Sequence, residues 1–442
     1  VSLVQGPPGT GKTDVVAGVC NRLLEMHVAQ VLVVAPSNDA ATQAARKISR
    51  TGCKVFRFYA RSREAPADLE RELRLAAHAE PSSYELLCQI DDFETQLKEA
   101  QLRLTRDDRV LREECLQRAL DSVDVIVCTC STAMDPYLTP RVFKAVVIDE
   151  AGQCLEPDGF IPVLMGAQRV VLIGDHQQLS PAESVKSDEA RAAGLGVSIF
   201  ERLMRAGNVP SCMLRVQYRM HPAISEFPST EFYADAAGNR KVVDGVTAAD
   251  RTFPLSAFPW PNPEQPAMFL HVAGEELRPP GGTSYYNSRE AVVVCGIVAQ
   301  LQRAGAKATD IGIITPYAAQ RSEVYRRLRE ATDVADAAEV EVANIDGYQG
   351  REKVFIVISC VRSNQRQEVG FFSRANRLNV ALTRARSGLV IVGNIDTFKK
   401  HTHWRSLARS YQQRGLMRTG SPVAPGAFSV RLPEPFTEAE DA

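Results

Sequence analysis

This sequence predicts an α/β protein of two tandem lobes, each a parallel sheet covered by helices, with a helical insertion in the first. Three observations predict it. Short, continuous apolar runs alternate along the chain with stretches of helical periodicity, which is how buried parallel strands joined by crossover helices read. The alternation occurs as two series, one on either side of a break near residue 210. At 442 residues the chain is also about three times a typical domain length, enough for two cores.

In the first series, Val1–Gln5 reads as a strand, a glycine loop follows, and Asp14–Leu24 has helical periodicity. Val31–Ala35 is a buried-type strand, Asp39–Ser49 a helix, and Lys54–Tyr59 a further strand. From residue 60 to 122 the pattern changes to leucines spaced among many charges, which suggests an inserted helical hairpin interrupted near Pro81. Strands resume at Val123–Cys128, Ala145–Ile148 and Val170–Ile173. The first lobe is thus expected over 1–210 and the second over 211–420. The second series places strands at Ala267–Val272, Ile311–Ile314, Val340–Asn344, Val354–Ser359 and Leu389–Val392. Helices are expected over Arg289–Ala304, Ala319–Ala331 and Arg377–Ala385. The proline-rich stretch Pro254–Pro280 reads largely as extended loop, and 421–442 as a mobile tail. A chain that opens inside its first core strand is expected to be a trimmed piece of a longer protein.

A formal net charge of −1 lends no support to nucleic-acid binding, although a basic groove balanced by acidic faces would give the same sum. The ten cysteines form no C-x-x-C pair, which argues against a zinc site and against a secreted disulfide framework. No apolar run approaches membrane-spanning length. A soluble, cytoplasmic protein is expected, one that could shuttle to the nucleus.

The sequence GPPGTGKT occupies Gly6, Pro7, Pro8, Gly9, Thr10, Gly11, Lys12 and Thr13, between an expected strand and an expected helix. That context is what a phosphate-binding loop requires. Glycines let backbone N–H groups approach phosphate oxygens, Lys12 can reach the β- and γ-phosphates, and the Thr13 hydroxyl can ligate magnesium. VVIDEAGQ ends a strand in two carboxylates, Asp149 and Glu150. Alone, such a pair is usually a solvated turn. Beside a phosphate loop, Asp149 can hold Mg2+ while Glu150 faces an attacking water. In VLIGDHQQLSP, Gln178 could bond the γ-phosphate of ATP or the water, and Asp175 could bridge toward magnesium. A phosphate-loop kinase or a transport ATPase could share the first two of these features.

VQYRMHP at Val216–Pro222, IDGYQGRE at Ile345–Glu352 and RLNVALTRARSGLVIVGN at Arg377–Asn394 extend the set. Together with the earlier strings they resemble the ordered motifs of superfamily one helicases, whose lobes are RecA-like. The combination of QYRMHP, DEAGQ and NVALTRAR resembles the Up-frameshift-like branch, a group linked to nonsense-mediated mRNA decay. The likeness continues between the motifs, in TGCKVFRFYARSREA, FERLMRAGNVP, DGVTAADR and GAKATDIGIITPYAAQR.

The resemblance implies an ATP-dependent RNA helicase that translocates 5′-to-3′ on single-stranded RNA, using ATP and Mg2+. It implies that Arg219 and Arg384 act as arginine fingers on the γ-phosphate, that Tyr218 stacks on adenine and that Glu352 bonds ribose. Structural ion pairs for the arginines and plain packing for Tyr218 are the alternatives. Nucleic-acid contacts are implied at Pro36, Ser37 and Asn38, at Thr129, at Thr315, Pro316 and Tyr317, and at Arg362, Ser363 and Asn364. Any one of these could equally cap a helix or shape a turn. Asn344 and Tyr348 depart from the small residue and the Phe usual in relatives, which is expected to alter coupling. The adenine-reading glutamine upstream of the loop and the zinc-rich regulatory domain of such helicases are not in this chain. Regulatory mRNA-decay proteins would therefore engage regions outside it, and a monomer is expected. A DNA helicase of the switch-binding or senataxin type and an ATP-gated RNA clamp are the competing readings.

Overall fold

The computed structural model describes residues 1–60, 106–183, 185–255 and 258–420. The expected insertion at 60–122 lies mostly outside them, apart from the helix Arg106–Asp121, and so does the tail from 421. By contacts the chain divides into two compact units. The first comprises Val1–Gly6, Gly11–His176 and Ser180–Met213; the second comprises Pro7–Thr10, Gln177–Leu179 and Leu214–Ala442.

The first unit is built on seven strands: β1 (Ser2–Gln5), β2 (Val31–Ala35), β3 (Val55–Arg57), β4 (Val125–Thr129), β5 (Ala145–Ile148), β6 (Arg169–Gly174) and β7 (Ser211–Met213). Their order is β3-β4-β2-β5-β6-β1-β7 and every pairing is parallel. β2, β4 and β5 are buried along their whole length, because helices cover both faces of a parallel sheet. Each fully buried Val, Leu or Ile there contributes roughly 1.5–3 kcal/mol. The helix Asn38–Ser49 buries Ala41, Ala44, Ala45 and Ile48, the i, i+3, i+4, i+7 stripe of a helix lying on a sheet. Ser37 caps that helix, accepting from the Ala40 N–H at 3.2 Å.

The second unit opens with a two-stranded ribbon, β8 (Val216–Gln217) paired with β9 (Val243–Asp244). Its main sheet has β10 (Ala267–His271), β11 (Ile311–Ile314), β12 (Glu341–Ala343), β13 (Lys353–Ser359), β14 (Ala385–Gly393) and β15 (Met417–Thr419). The order is β12-β11-β13-β14-β10-β15, again all parallel. Met268, Leu270, Val294, Ile297, Ile313, Phe355, Val357 and Val390 belong to one buried cluster between this sheet and its helices.

The parallel α/β architecture is the one that the strand–helix alternation predicts. Some details differ. The helix expected over Arg377–Ala385 spans Ala375–Leu382, and Ala385 already opens the nine-residue β14. Thr383 ends the helix by turning its hydroxyl back onto the Asn379 and Val380 carbonyls, at 2.8 and 3.2 Å. Arg384 therefore sits in the helix–strand junction. The edge strands β7 and β15 and the helix Pro222–Tyr233 carry no strong periodic signal, and that helix even contains Pro228. The helix Thr402–Gln413, which sequence reasoning passed over, instead buries Trp404, Leu407, Ala408 and Tyr411 as a regular i, i+3, i+4, i+7 stripe.

Two glycines set the spacing between the ends of β5 and β6. A Cβ on Gly174 would lie 2.6 Å from the Gly152 nitrogen, and one on Gly152 would lie 2.8 Å from the Asp175 carbonyl oxygen. Backbone atoms cannot rotate away as a side chain can. Gly174→Ala is therefore expected to destabilise the first unit by about 1–3 kcal/mol, read as a lower denaturant midpoint. An unchanged midpoint would show that the two turns are free to separate.

Candidate functional site

β1 runs straight into the glycine loop. Gly9 and Gly11 hold φ of 74° and 84°, the left-handed region that side chains disfavour. The helix Lys12–Glu25 starts from Gly11 without a side-chain cap, so no capping side-chain oxygen takes up its first N–H groups, the usual binding groups for an anion at a helix start. The Gly6 N–H donates to Gly174 O of β6 (2.9 Å), and Thr10 Oγ1 donates to Pro7 O (2.7 Å). Lys12 Nζ donates to Gly6 O (2.9 Å) and stands 3.9 Å from Glu150 Oε1. Thr13 follows it in the first helical turn, half-buried.

Asp149 and Glu150 leave the carboxyl end of β5. Glu150 takes a φ of 50°, and its N–H donates to Asp149 Oδ1 (2.9 Å) while its Oε2 accepts from Gln153 Nε2 (3.0 Å). Burial, and then the neighbouring Glu150, push the Asp149 carboxyl up to about 7, against the pull of Lys12. Two carboxylates beside one ammonium leave the site short of positive charge. Asp175, at the end of β6, is buried and accepts from Gln5 Nε2 (3.4 Å). Gln178 is buried and groups with the second unit.

In the second unit, Tyr218 follows β8 and is 54% exposed. Arg219 donates from Nε to Glu352 Oε2 (2.5 Å) and from Nη1 to Thr383 O (3.1 Å). Burial alone would raise the Glu352 carboxyl, but Arg219, Arg386 and Arg384 more than offset it and hold its pKa below the ordinary value. Arg384 is buried, with Nε on Val380 O (2.9 Å) and Nη2 on Thr383 Oγ1 (3.0 Å). The structure thus brings Arg219, Glu352 and Arg384 together. Glu352 and Arg384 immediately precede β13 and β14, whose first residues Lys353 and Ala385 are register partners.

The remaining sequence-selected residues lie at or beyond carboxyl ends of strands. Pro36–Asn38 follow β2, and Asn38 Oδ1 accepts from the buried Arg57 Nη2 (2.8 Å). Thr129 closes β4 and shares a 2.6 Å hydrogen bond with Thr132 Oγ1. Thr315, Pro316 and Tyr317 follow β11. The Thr315 hydroxyl is buried with no hydrogen-bond partner among the described residues, and the Tyr317 ring packs edge-on against Tyr285 and Phe371. Arg362 is buried, donating to Glu276 at 3.0 and 3.2 Å and to Glu368 at 3.2 Å. Asn364 Nδ2 donates to Glu276 Oε2 (3.1 Å) and to Glu368 O (3.1 Å).

Sequence reasoning passed over Arg57, Glu276, Asn287 and Glu290. The last two had a signal: N-x-x-E ahead of an apolar run is a helix-start pattern. Asn287 does cap the helix Ser288–Arg303, through the Glu290 N–H (3.1 Å), while Glu290 turns inward and is fully buried. Glu276 had none, since Arg362, Ser363 and Asn364 lie far along the chain, and nothing local marks Arg57 for its bond to Asn38.

A glycine loop between β1 and a helix, with an Asp-Glu pair ending a nearby parallel strand, defines a phosphate-loop nucleotide-binding protein. AAA domain models match residues 1–101 and 61–186 and, in a second family of that description, residues 195–396. The chain is 44% identical over 427 residues to the Regulator of nonsense transcripts 1 homolog of Neurospora crassa, covering 95% of this chain and 38% of that protein. It is 42% identical over 430 residues to the homolog of that name in Drosophila melanogaster, covering 95% of this chain and 35% of that protein. To ATP-dependent helicase NAM7 of Saccharomyces cerevisiae it is 41% identical over 430 residues, 95% of this chain and 43% of that protein. Over 95% of its length the chain is thus similar to regulator of nonsense transcripts 1 proteins, and it spans less than half the length of each of these three relatives.

The Asp149 carboxyl binds its proton far more tightly in the folded chain, at about 7, than at its ordinary value of 3.8. Between those values the folded state holds a proton that the unfolded state has lost, so stability falls as pH rises through about 7. Without nucleotide or divalent cation, the thermal midpoint is expected to drop between pH 5.5 and about pH 8. Asp149→Asn is expected to flatten part of that slope in differential scanning fluorimetry. An identical slope in the variant would mean that Asp149 does not titrate there.

Proposed function

We propose that this chain is the motor core of an ATP-dependent helicase that translocates 5′-to-3′ on single-stranded RNA and serves nonsense-mediated mRNA decay. The observation that carries it is the set Lys12, Asp149 and Glu150, held at one strand edge of the first unit with Lys12 3.9 Å from Glu150, in a chain 41% identical to a protein named an ATP-dependent helicase. The direction of travel follows the superfamily resemblance.

Each residue has a physical task in that reaction. Backbone N–H groups of Gly9–Thr13 and the Lys12 ammonium bind the β- and γ-phosphates of ATP. Glu150 orients the attacking water and receives its proton. Arg219 and Arg384 are fixed, always-charged forks suited to the charge that spreads over the transferred phosphoryl group. Tyr218 offers an exposed ring for adenine, and Glu352 an acceptor for ribose hydroxyls.

Magnesium fits the donor set. The charge of the buried Asp149 carboxylate is only partly compensated by Lys12, and Thr13 supplies a hydroxyl in the first turn of the helix after the glycine loop. Among the described residues no three His, Cys, Asp or Glu side chains cluster as a metal cage. That suits a cation which keeps waters and phosphate oxygens as most of its ligands. When bound, it supplies charge neutralisation for the phosphates.

RNA contacts come from the strand-end residues of both sheets, where small polar groups and backbone N–H groups can meet phosphates. Among the described residues no row of exposed aromatics follows the strand ends, which favours a grip on the backbone over base readout.

Steady-state ATP hydrolysis with and without single-stranded RNA, matched DNA and duplex tests the proposal. Strong stimulation by single strands, with RNA at least equal to DNA, is expected. RNA that binds without stimulating would favour the clamp, and DNA far exceeding RNA would favour the DNA helicase. Glu150→Gln is expected to keep ATP and RNA binding while stopping turnover. Arg384→Ala is expected to lower turnover by about 10³ with a much smaller change in ATP affinity. Normal turnover in either variant would remove that residue from the catalytic set.

A further inference from the structure

In the segment after β13 the sequence points to Arg362 and Asn364 as nucleic-acid contacts, yet the structure turns both inward. Arg362 is 4% exposed and its guanidinium is shared between Glu276 and Glu368, over the Tyr285 ring at 4.4 Å. A guanidinium buried with two carboxylates cannot leave them for a phosphate without stranding negative charge. Asn364 is likewise committed: its Nδ2 donates to Glu276 and to Glu368 O, its Oδ1 accepts from the Glu368 N–H (3.0 Å), and its N–H donates to Thr397 Oγ1 (3.0 Å).

What these bonds hold is a loop of defined shape. Val361 has a φ of 71°, a conformation that a β-branched residue adopts only when its surroundings impose it. Here the helix Ser288–Arg303 imposes it from both sides. Glu290 Oε2 accepts from the Val361 N–H (2.8 Å), and Asn287 Nδ2 donates to the Val361 carbonyl (3.2 Å). Glu276 then takes the Ser363 N–H (2.6 Å). Beyond it, the Gln367 N–H returns to Asn364 O (3.3 Å), closing a turn with Gln365 and Arg366 at its tip. Gln367, itself left-handed at a φ of 58°, is tied down through Nε2 to Asp396 O (3.2 Å). Arg366 is exposed and makes no ion pair or hydrogen bond among the described residues. An unpaired arginine at the tip of a loop fixed at its base, on the carboxyl edge of a parallel sheet, is preorganised to meet an anion.

We propose that Arg366 is the phosphate-contacting residue of this segment, presented to single-stranded RNA by a loop that Asn287, Glu290 and Glu276 hold in place, while Arg362 is internal to that support. The proposal rests on the RNA-helicase reading above. It differs from the sequence expectation in the residue that makes the contact and in the reason: the loop's other arginine is already neutralised.

The test is binding of a labelled uridine oligonucleotide by fluorescence anisotropy across a salt series, using the whole chain. Arg366→Gln is expected to weaken binding by about fivefold at 0.1 M salt and to make the slope of log K against log salt shallower by about 0.7, one single-strand phosphate contact. Arg366→Lys should recover much of the loss. Arg329→Gln, the same charge change at an exposed position on the helix Ala318–Glu330, should leave affinity and slope as they were. If Arg366→Gln and Arg329→Gln behave alike, the proposal is overturned while the helicase reading stands. If the unsubstituted chain does not bind the oligonucleotide, that reading fails and this proposal with it.

Discussion

A parallel strand covered by helices on both faces has nowhere along its length to carry a polar side chain. In β2, β4 and β5 every residue is buried, and the same holds for most of β11 and β14. Polar chemistry can therefore emerge only where a strand stops. In the first unit it emerges at the carboxyl ends: Pro36–Asn38 after β2, Asp149–Glu150 after β5 and Asp175 after β6. In the second unit both ends are used. Thr315–Tyr317 and Arg362–Asn364 follow strands, whereas Glu352 and Arg384 precede them. The parallel register of β13 and β14 sets those last two side by side.

Within that constraint, close backbone contact fixes the distances. Gly152 and Gly174 let the turns after β5 and β6 touch through main-chain atoms, and the Gly6 N–H on Gly174 O ties the phosphate loop to the same edge. Three strand ends are thus located relative to one another by atoms that have no rotamers. The electrostatic result is a buried Asp149 whose carboxyl is pushed up to about 7, because burial and Glu150 disfavour its charge more than Lys12 favours it. A site so composed gains from any ligand that brings both a cation and phosphate oxygens.

The second unit manages its arginines differently. Arg219 is matched by Glu352, and Arg362 by Glu276 and Glu368. Burying a guanidinium without a counter-charge costs several kcal/mol, so these carboxylates are a condition of the arginines' positions. The two cases still differ. Glu352 is 40% exposed on its side chain, which leaves it accessible to exchange partners, whereas Arg362 and Glu276 are 5% and 14% exposed and form part of the support for a loop.

The sequence by itself determined the α/β class, the positions of the long strands and the nucleotide loop, because these depend on local periodicity and on contiguous residues. GPPGTGKT needs only its own glycines and the helix after it, and VVIDE is an apolar strand with its carboxylates at the end, wherever the rest of the chain lies. The short edge strands β7 and β15 and the helix with Pro228 were not legible, since tertiary packing rather than propensity makes them form. Only the tertiary structure decided which of the sequence-selected polar residues face outward. Arg362 and Arg366 are four positions apart and chemically identical, and nothing local separates them. What separates them is Glu276, brought to Arg362 from 86 residues earlier in the chain. Burying an ion pair is a property of three-dimensional neighbours, which a one-dimensional pattern does not contain.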